Sequence, residues 1–227
     1  IRWVMGKRFF IFCLIMTIFI ANSLHSAGVK NNLHLIRKNG RYGYINQQGR
    51  VVIEPKFTKA HNFSGKRARI KVDDSYGFID KNGRIIVKPI YDDALDFSSG
   101  LAAVKVNEKW GFINYDGEEV IPPRFLKVRS FNNGLASAQV WDQVFLFIRN
   151  KKWGFINKSG EFVIQPQYIN AVNFNEGIAT VEILKKILFY PAYRKWICIN
   201  TQNDTLFDAK EFKSIHSFND GLELEEF

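Results

Sequence analysis

The chain has 227 residues, 46% hydrophobic and 24% charged, a globular composition that excludes a disordered tail and suffices for one large core or an array of small units. Its 21 Phe, 8 Tyr and 5 Trp, against 6 Pro and 2 Met, favour strands over helices, so the expected class is all-β. The formal net charge of +10 leaves room for an anionic partner, but net charge bears on solubility and weak association more than on a specific ligand.

From the N-terminus, Met5-Gly6-Lys7-Arg8 precedes the apolar run from Phe9 to Ile20, and Ala21-Asn22-Ser23-Leu24-His25-Ser26-Ala27-Gly28 follows. A basic start, a short hydrophobic stretch and small residues, in that order, read as a secretory signal peptide over residues 1–27. The expected location is therefore outside the cytoplasm: periplasm, cell surface or extracellular. The run is about half of the roughly 20 residues that a spanning helix needs, so cleavage after Ser23, Ser26 or Ala27 is expected. The alternative is an uncleaved anchor, the only membrane attachment foreseen. Cys13 lacks the preceding small residues of a lipidation box. The remaining domain, residues 28–227, holds one cysteine, Cys198, between Ile197 and Ile199, where an inert buried thiol is expected and no internal disulfide can form.

Past this segment one unit recurs, first every 34 and then every 43 residues, the mark of a repeat architecture. Leu33-His34-Leu35-Ile36 aligns with the last strand of a preceding unit and is read as a cap. The first element of the unit runs Tyr42-Gly43-Tyr44-Ile45-Asn46, Tyr76-Gly77-Phe78-Ile79-Asp80, Trp110-Gly111-Phe112-Ile113-Asn114, Trp153-Gly154-Phe155-Ile156-Asn157 and, degenerate, Trp196-Ile197-Cys198-Ile199-Asn200. A turn follows each, ending in Gly49, Gly83, Gly117 or Gly160, with Asn203 in the fifth as a residue that tolerates a left-handed backbone.

The second element is a β-branched run reaching proline, as in Val51-Val52-Ile53-Glu54-Pro55 and Val120-Ile121-Pro122-Pro123, and proline is expected to end the strand. An aromatic lies two residues beyond (Phe57, Tyr91, Phe125, Tyr168), then Phe63, Phe97, Phe131, Phe174 or Phe218 before a turn. The third element alternates, with Ala68/Ile70/Val72 and their counterparts on one face, and a period of two means strand. Each unit thus offers about three short antiparallel strands that must stack on neighbours to bury their aromatics. The repeats fall at about 42–75, 76–109, 110–152, 153–195 and 196–227, and Leu222-Glu223-Leu224-Glu225 ends the chain as a second cap.

The pattern Trp/Tyr-Gly-Phe/Tyr-Ile-Asp/Asn, then Gly-x-x-Val-Ile-x-Pro-x-Tyr/Phe-x-x-Ala, then Phe-x-x-Gly-Leu-Ala resembles the bacterial WG repeat, also called the KWG repeat; Lys109-Trp110-Gly111 and Lys152-Trp153-Gly154 match the longer name. Departures are Tyr42 and Tyr76 for Trp, Lys66 where later copies have glycine, and Ile197 and Ala209 for glycine and proline. The resemblance implies an exported β-repeat protein used for binding or scaffolding, with no agreed catalytic residues. An open twisted array of β-meander units is the expected architecture. A closed five-bladed propeller is the alternative, disfavoured because a blade usually takes four strands.

Two candidate binding surfaces stand out. The longer units carry nine extra residues at the same place, bringing Trp141, Phe145 and Phe147 in one and Phe189, Tyr190 and Tyr193 in the other. Such apolar hairpins either bury each other or expose a patch for a partner. Arg67, Arg69 and Lys71 alternate with the core-facing residues and would form a cationic ladder, either a solvated face or an anion site. His61 and His216 occupy equivalent places but are too few for a zinc site, and Asp73, Asp74, Asp92 and Asp93 fall at turns. Phosphate loops, nucleophile elbows and Cys/His metal spacings are absent from the sequence, so neither catalytic residues nor a cofactor or metal is expected. The expected function is non-catalytic binding or scaffolding at the cell envelope, with a protein or envelope glycan as partner, an anionic surface as a further candidate, and no nucleic acid. A cell-wall or polysaccharide-acting hydrolase, with carboxylates in a groove of the array, is the runner-up.

Overall fold

The computed structural model describes residues 32–145, 148–187, 190–208, 212–218 and 221–226; the segment expected to direct export lies outside them. The described residues are all-β. β1 (His34–Lys38), β2 (Arg41–Ile45) and β3 (Val51–Phe57) form a three-stranded meander. Three four-stranded meanders follow with one plan each: β4 (Lys59–Ala60) to β7 (Ile85–Tyr91) through β5 (Ala68–Val72) and β6 (Ser75–Ile79); β8 (Asp93–Ala94) to β11 (Glu119–Phe125) through β9 (Ala102–Val106) and β10 (Lys109–Ile113); and β12 (Lys127–Val128) to β15 (Phe162–Tyr168) through β13 (Ala136–Phe145) and β14 (Ile148–Ile156). A fifth sheet of the same plan holds β16 (Asn170–Ala171), β17 (Ile178–Ile187), β18 (Tyr190–Asn200) and β19 (Thr205–Asp208), and β20 (Phe212–Phe218) pairs with β21 (Gly221–Glu226). No ladder among the described residues joins the first sheet to the last, and the sheets form an open array.

Each sheet straddles the sequence period. The third element of one repeat pairs with the first element of the next across a two-residue turn, as Val106 pairs with Lys109 and Val72 with Ser75. The long strands per unit number three, as expected; the fourth is a two-residue strand, such as Lys59–Ala60, that lies between the aromatic closing one sheet and the next Phe.

Both faces of the inner sheets are buried, because the sheets stack in chain order. Tyr44, Ile53 and Phe57 of the first sheet pack on Ala68, Ile70 and Ile79 of the second. The opposite face of the second sheet, Phe78 and Val87, packs on Ala102, Val104 and Ile113 of the third, and the third and fourth continue the series. One aromatic contact repeats at every joint: Tyr44–Phe63, Phe78–Phe97, Phe112–Phe131 and Phe155–Phe174, with ring centroids 5.0, 4.8, 4.8 and 4.7 Å apart. The Phe before each Phe-x-x-Gly turn is therefore the residue that a sheet offers to the one before it. In the fifth copy Cys198 stands where the earlier copies have Tyr44 or Phe, and it is a buried free thiol as expected.

The structure corrects the role of proline. The strand does not end there: β3, β7, β11 and β15 run through Pro55, Pro89, Pro122-Pro123 and Pro166 to the aromatic beyond. Trp110 pairs with Phe125 and Phe112 with Ile121, so four residues of β11 span what two residues of β10 span, a two-residue bulge. Proline fits an edge strand at a bulge, where no partner needs its missing N–H. The bulge presses the β11 backbone onto Gly111, where a Cβ would lie 2.4 Å from the Ile121 carbonyl oxygen and 2.7 Å from the Pro123 nitrogen. Gly43, Gly77 and Gly154 meet the same wall. In the fifth sheet, where Ile197 replaces that glycine, Ile197 pairs with Asp208 and Cys198 with Phe207 in plain register, with no such bulge among the described residues.

Candidate functional site

The predicted Arg67/Arg69/Lys71 ladder is real in register but its cations are engaged. Arg69, on the face of β5 that carries the second sheet toward the third, donates from Nε to Asp96 Oδ1 at 2.9 Å and from Nη1 to the Ala94 carbonyl, and its side chain is only 11% exposed. Arg67 donates to the Tyr115 carbonyl at 2.9 Å, and Lys71 sits 3.5 Å from Asp74 and over the Tyr76 ring. Arg67 and Arg69 tie the second sheet to the third, while Lys71 is held within its own hairpin. His61 lies 3.0 Å from Arg69 Nη2 and 3.7 Å from Asp96. Burial first, then the Arg69 charge, pushes its pKa below the ordinary histidine value, with Asp96 opposing and Lys59 adding to the fall. The side chain of His216 lies outside the described residues, and among the described residues no cluster of three or more His, Cys, Asp or Glu side chains could hold a metal.

The nine-residue insertions extend two hairpins. Pairing runs from Val140–Lys152 through Trp141–Lys151 and Asp142–Asn150 in the fourth sheet, and from Ile183–Lys195 through Lys185–Tyr193 in the fifth. Trp141 remains 46% exposed with Lys151 Nζ 5.1 Å from its ring centroid, and Leu184 on the neighbouring hairpin remains 47% exposed. Tyr193 is half-buried, while the side chains of Phe145, Phe147, Phe189 and Tyr190 lie outside the described residues.

At the base of these hairpins an open cleft of about 640 Å³ crosses three consecutive sheets. Trp110 comes from the third sheet, Lys127, Arg129, Gln139 and Trp153 from the fourth, and Glu182 and Arg194 from the fifth. A second hollow of about 330 Å³ shares Trp110, Lys127 and Gln139 and continues past Lys109 and Lys151. Arg129 donates to the Ala171 carbonyl at 3.0 Å and lies over the Trp153 ring, closing the joint between the fourth and fifth sheets. The two acids are paired: Glu182 with Arg194 at 3.6 Å and Glu108 with Lys105 at 3.0 Å. Lys109, Lys127 and Lys151 have no carboxylate within ion-pair distance among the described residues.

Gln139 is the anomaly. It is 7% exposed, and its Oε1 is the single buried side-chain polar atom without a hydrogen-bond partner among the described residues. Its position is the cross-strand partner of the repeat's first aromatic, opposite Trp153, where the other sheets place Arg37, Lys71, Lys105 and Glu182. Sequence reasoning passed over it, although that column of charged residues, broken once by a neutral amide, was visible in the repeat alignment. It also passed over a register of exposed aliphatics on the edge strands, Val52, Val120, Val163 and Leu206.

Stacked four-stranded meanders, each with an aromatic-glycine pair against a proline bulge, define a class of β-repeat protein built by face-to-face addition of one unit. The family model for the WG containing repeat matches residues 42–75, 76–110, 110–140 and 153–186, more than half of the chain, and the chain belongs to that family. The fifth copy, where the glycine is lost and the described residues show no such bulge, falls outside the matched residues. No curated protein matches the chain.

Proposed function

We propose that this protein is an exported, non-catalytic binding or scaffolding module of the cell envelope that takes a protein or glycan partner. What supports export is the N-terminal pattern of a basic start, a short apolar run and small residues. The observation that carries the binding role is the cleft across three sheets, overhung by two lengthened hairpins with Trp141 and Leu184 exposed. Glycoside hydrolysis usually takes two carboxylates facing across a cleft. Here Glu182 and Glu108 are each held by a neighbouring cation, an arrangement suited to shaping a surface.

The test is retention of the full chain by an isolated envelope fraction, beside a variant in which both hairpins are shortened by nine residues. Retention of the parent and loss in the folded variant support the reading. Release of reducing sugar from that fraction would replace it with the hydrolase, and equal retention of both proteins would move the binding surface off the hairpins and onto the sheet faces.

A further inference from the structure

We propose that the cleft formed by Trp110, Gln139, Trp153 and Glu182 binds an anionic saccharide chain, one whose rings carry both hydroxyls and carboxylates; this rests on the binding role proposed above. The argument starts from the unsatisfied amide. A buried acceptor without a partner costs about 1–3 kcal/mol, and a group held at that cost is explained if a ligand hydrogen completes it. Gln139 Oε1 is such an acceptor, and Gln139 lines both the cleft and its continuation. Oε1 has no exposed surface of its own, so a ligand that completes it must donate as the amide turns toward the cleft. Glu182, whose side chain is also largely buried, is paired with Arg194 and keeps further acceptor capacity for a ligand hydrogen.

Charge gives the second requirement. Lys109, Lys127 and Lys151 line the continuation without carboxylate partners, a positive field that favours a ligand carrying negative charge. Shape gives the third. The two hollows, about 640 and 330 Å³, share Trp110, Lys127 and Gln139, so the space is an elongated track suited to a chain of rings more than to one small molecule. Trp110 is half-buried and belongs to both hollows, placing an aromatic surface where the apolar face of a pyranose can lie against it. A uronate chain meets all three demands at once: hydroxyl hydrogens for Gln139 and Glu182, carboxylates for the lysines, and C–H faces for the tryptophan. A phosphodiester backbone brings charge but only acceptors, and would leave Gln139 and Glu182 facing oxygen.

The experiment is calorimetric titration of the full chain with a galacturonate hexamer, a neutral glucose hexamer and a single-stranded deoxynucleotide. Gln139→Leu removes the unsatisfied amide while keeping volume, and is expected to fold with an equal or higher melting temperature but bind the galacturonate hexamer at least tenfold more weakly. Lys127→Glu, on an exposed side chain, is expected to weaken the same binding by at least tenfold and keeps the test decisive if the first variant does not fold. The proposal is overturned by no binding of the galacturonate hexamer, by unchanged binding in the folded variants, or by equal or tighter binding of the neutral hexamer or the deoxynucleotide. Retention by the envelope fraction without galacturonate binding would overturn this ligand class and leave the broader binding role standing.

Discussion

At Gly111 the repeat's defining glycine answers to a wall of backbone, not to a turn. Its φ is not in the left-handed region, and the obstacle to any side chain is the Ile121 carbonyl at 2.4 Å from the ideal Cβ, pressed inward by the proline bulge. Gly111→Ala is therefore expected to destabilise the chain by about 1–3 kcal/mol, because neither strand can retreat without opening a ladder, and a thermal melt reads the loss. Alanine in place of Gly134, whose Cβ would meet nothing within 4 Å, loses only turn strain, from a φ of 81°. His61 supplies a pH prediction. Because its folded pKa is lowered, the folded state takes up the proton less readily than the unfolded chain. Its contribution is then complete above the ordinary histidine value of about 6.5 and is lost as pH falls through the depressed folded value. Melting temperatures measured from pH 7 down to pH 5 are expected to fall less steeply for His61→Gln than for the parent. Equal slopes would assign the acid sensitivity to other groups.

Among the elements, hairpins show where local chemistry and packing agree and where they do not. The turn after each first element was readable before any coordinates: Asn46 Oδ1 accepts from the Gln48 and Arg50 amides, and Asp80, Asn114, Asn157 and Asn200 repeat the device. The two-residue turn Asn107-Glu108 has positive φ at both residues, 47° and 65°, a geometry that favours glycine at the second position. Glu108→Gly is expected to raise stability by about 0.5–1 kcal/mol in a denaturant melt, since the exposed Lys105–Glu108 pair that it removes contributes little. In the first copy, Gly65 has a φ of 61° and Lys66 is not in the left-handed region, so moving glycine one place exchanges one hairpin turn for its relative. The strand through proline was misread because a missing N–H usually means an end. The bulge that accommodates it involves a partner glycine some ten residues earlier, a pairing that composition and period two do not reveal.

For the whole molecule, stability is a sum over joints. Each joint repeats the same aromatic pair, and hydroxyls bridge sheets one repeat apart, from Ser64 to the Phe97 carbonyl at 2.5 Å and from Ser98 to the Phe131 carbonyl at 2.6 Å. Hairpin glycines lean back on the preceding sheet: a Cβ on Gly83 would lie 3.1 Å from Ile53, and one on Gly117 would lie 3.0 Å from Val87. An open array of this kind tolerates loss of a whole unit. Deletion of residues 76–109, which splices Ser75 onto Trp110 at the equivalent register, is expected to leave a cooperatively folding β protein with a lower melting temperature. Loss of all folded signal would show that the units depend on more than their immediate neighbours.

Much followed from the residues alone: the all-β class, the presence of a repeat, the turns after each first element, the stacking requirement and the buried Cys198 are consequences of local chemistry and periodicity. Period two identifies a strand and its two faces whatever that strand packs against. What only the tertiary structure decided is what each face meets. Arg67 and Arg69 alternate with core residues, and sequence alone places them in water; the next sheet supplies Asp96 and the Ala94 and Tyr115 carbonyls and turns the ladder into a joint. Gln139 likewise becomes a buried, unpartnered amide only because three sheets converge around it. Burial and hydrogen-bond satisfaction depend on atoms brought close from repeats 30 or 40 residues away, and no local pattern in the chain encodes those distances.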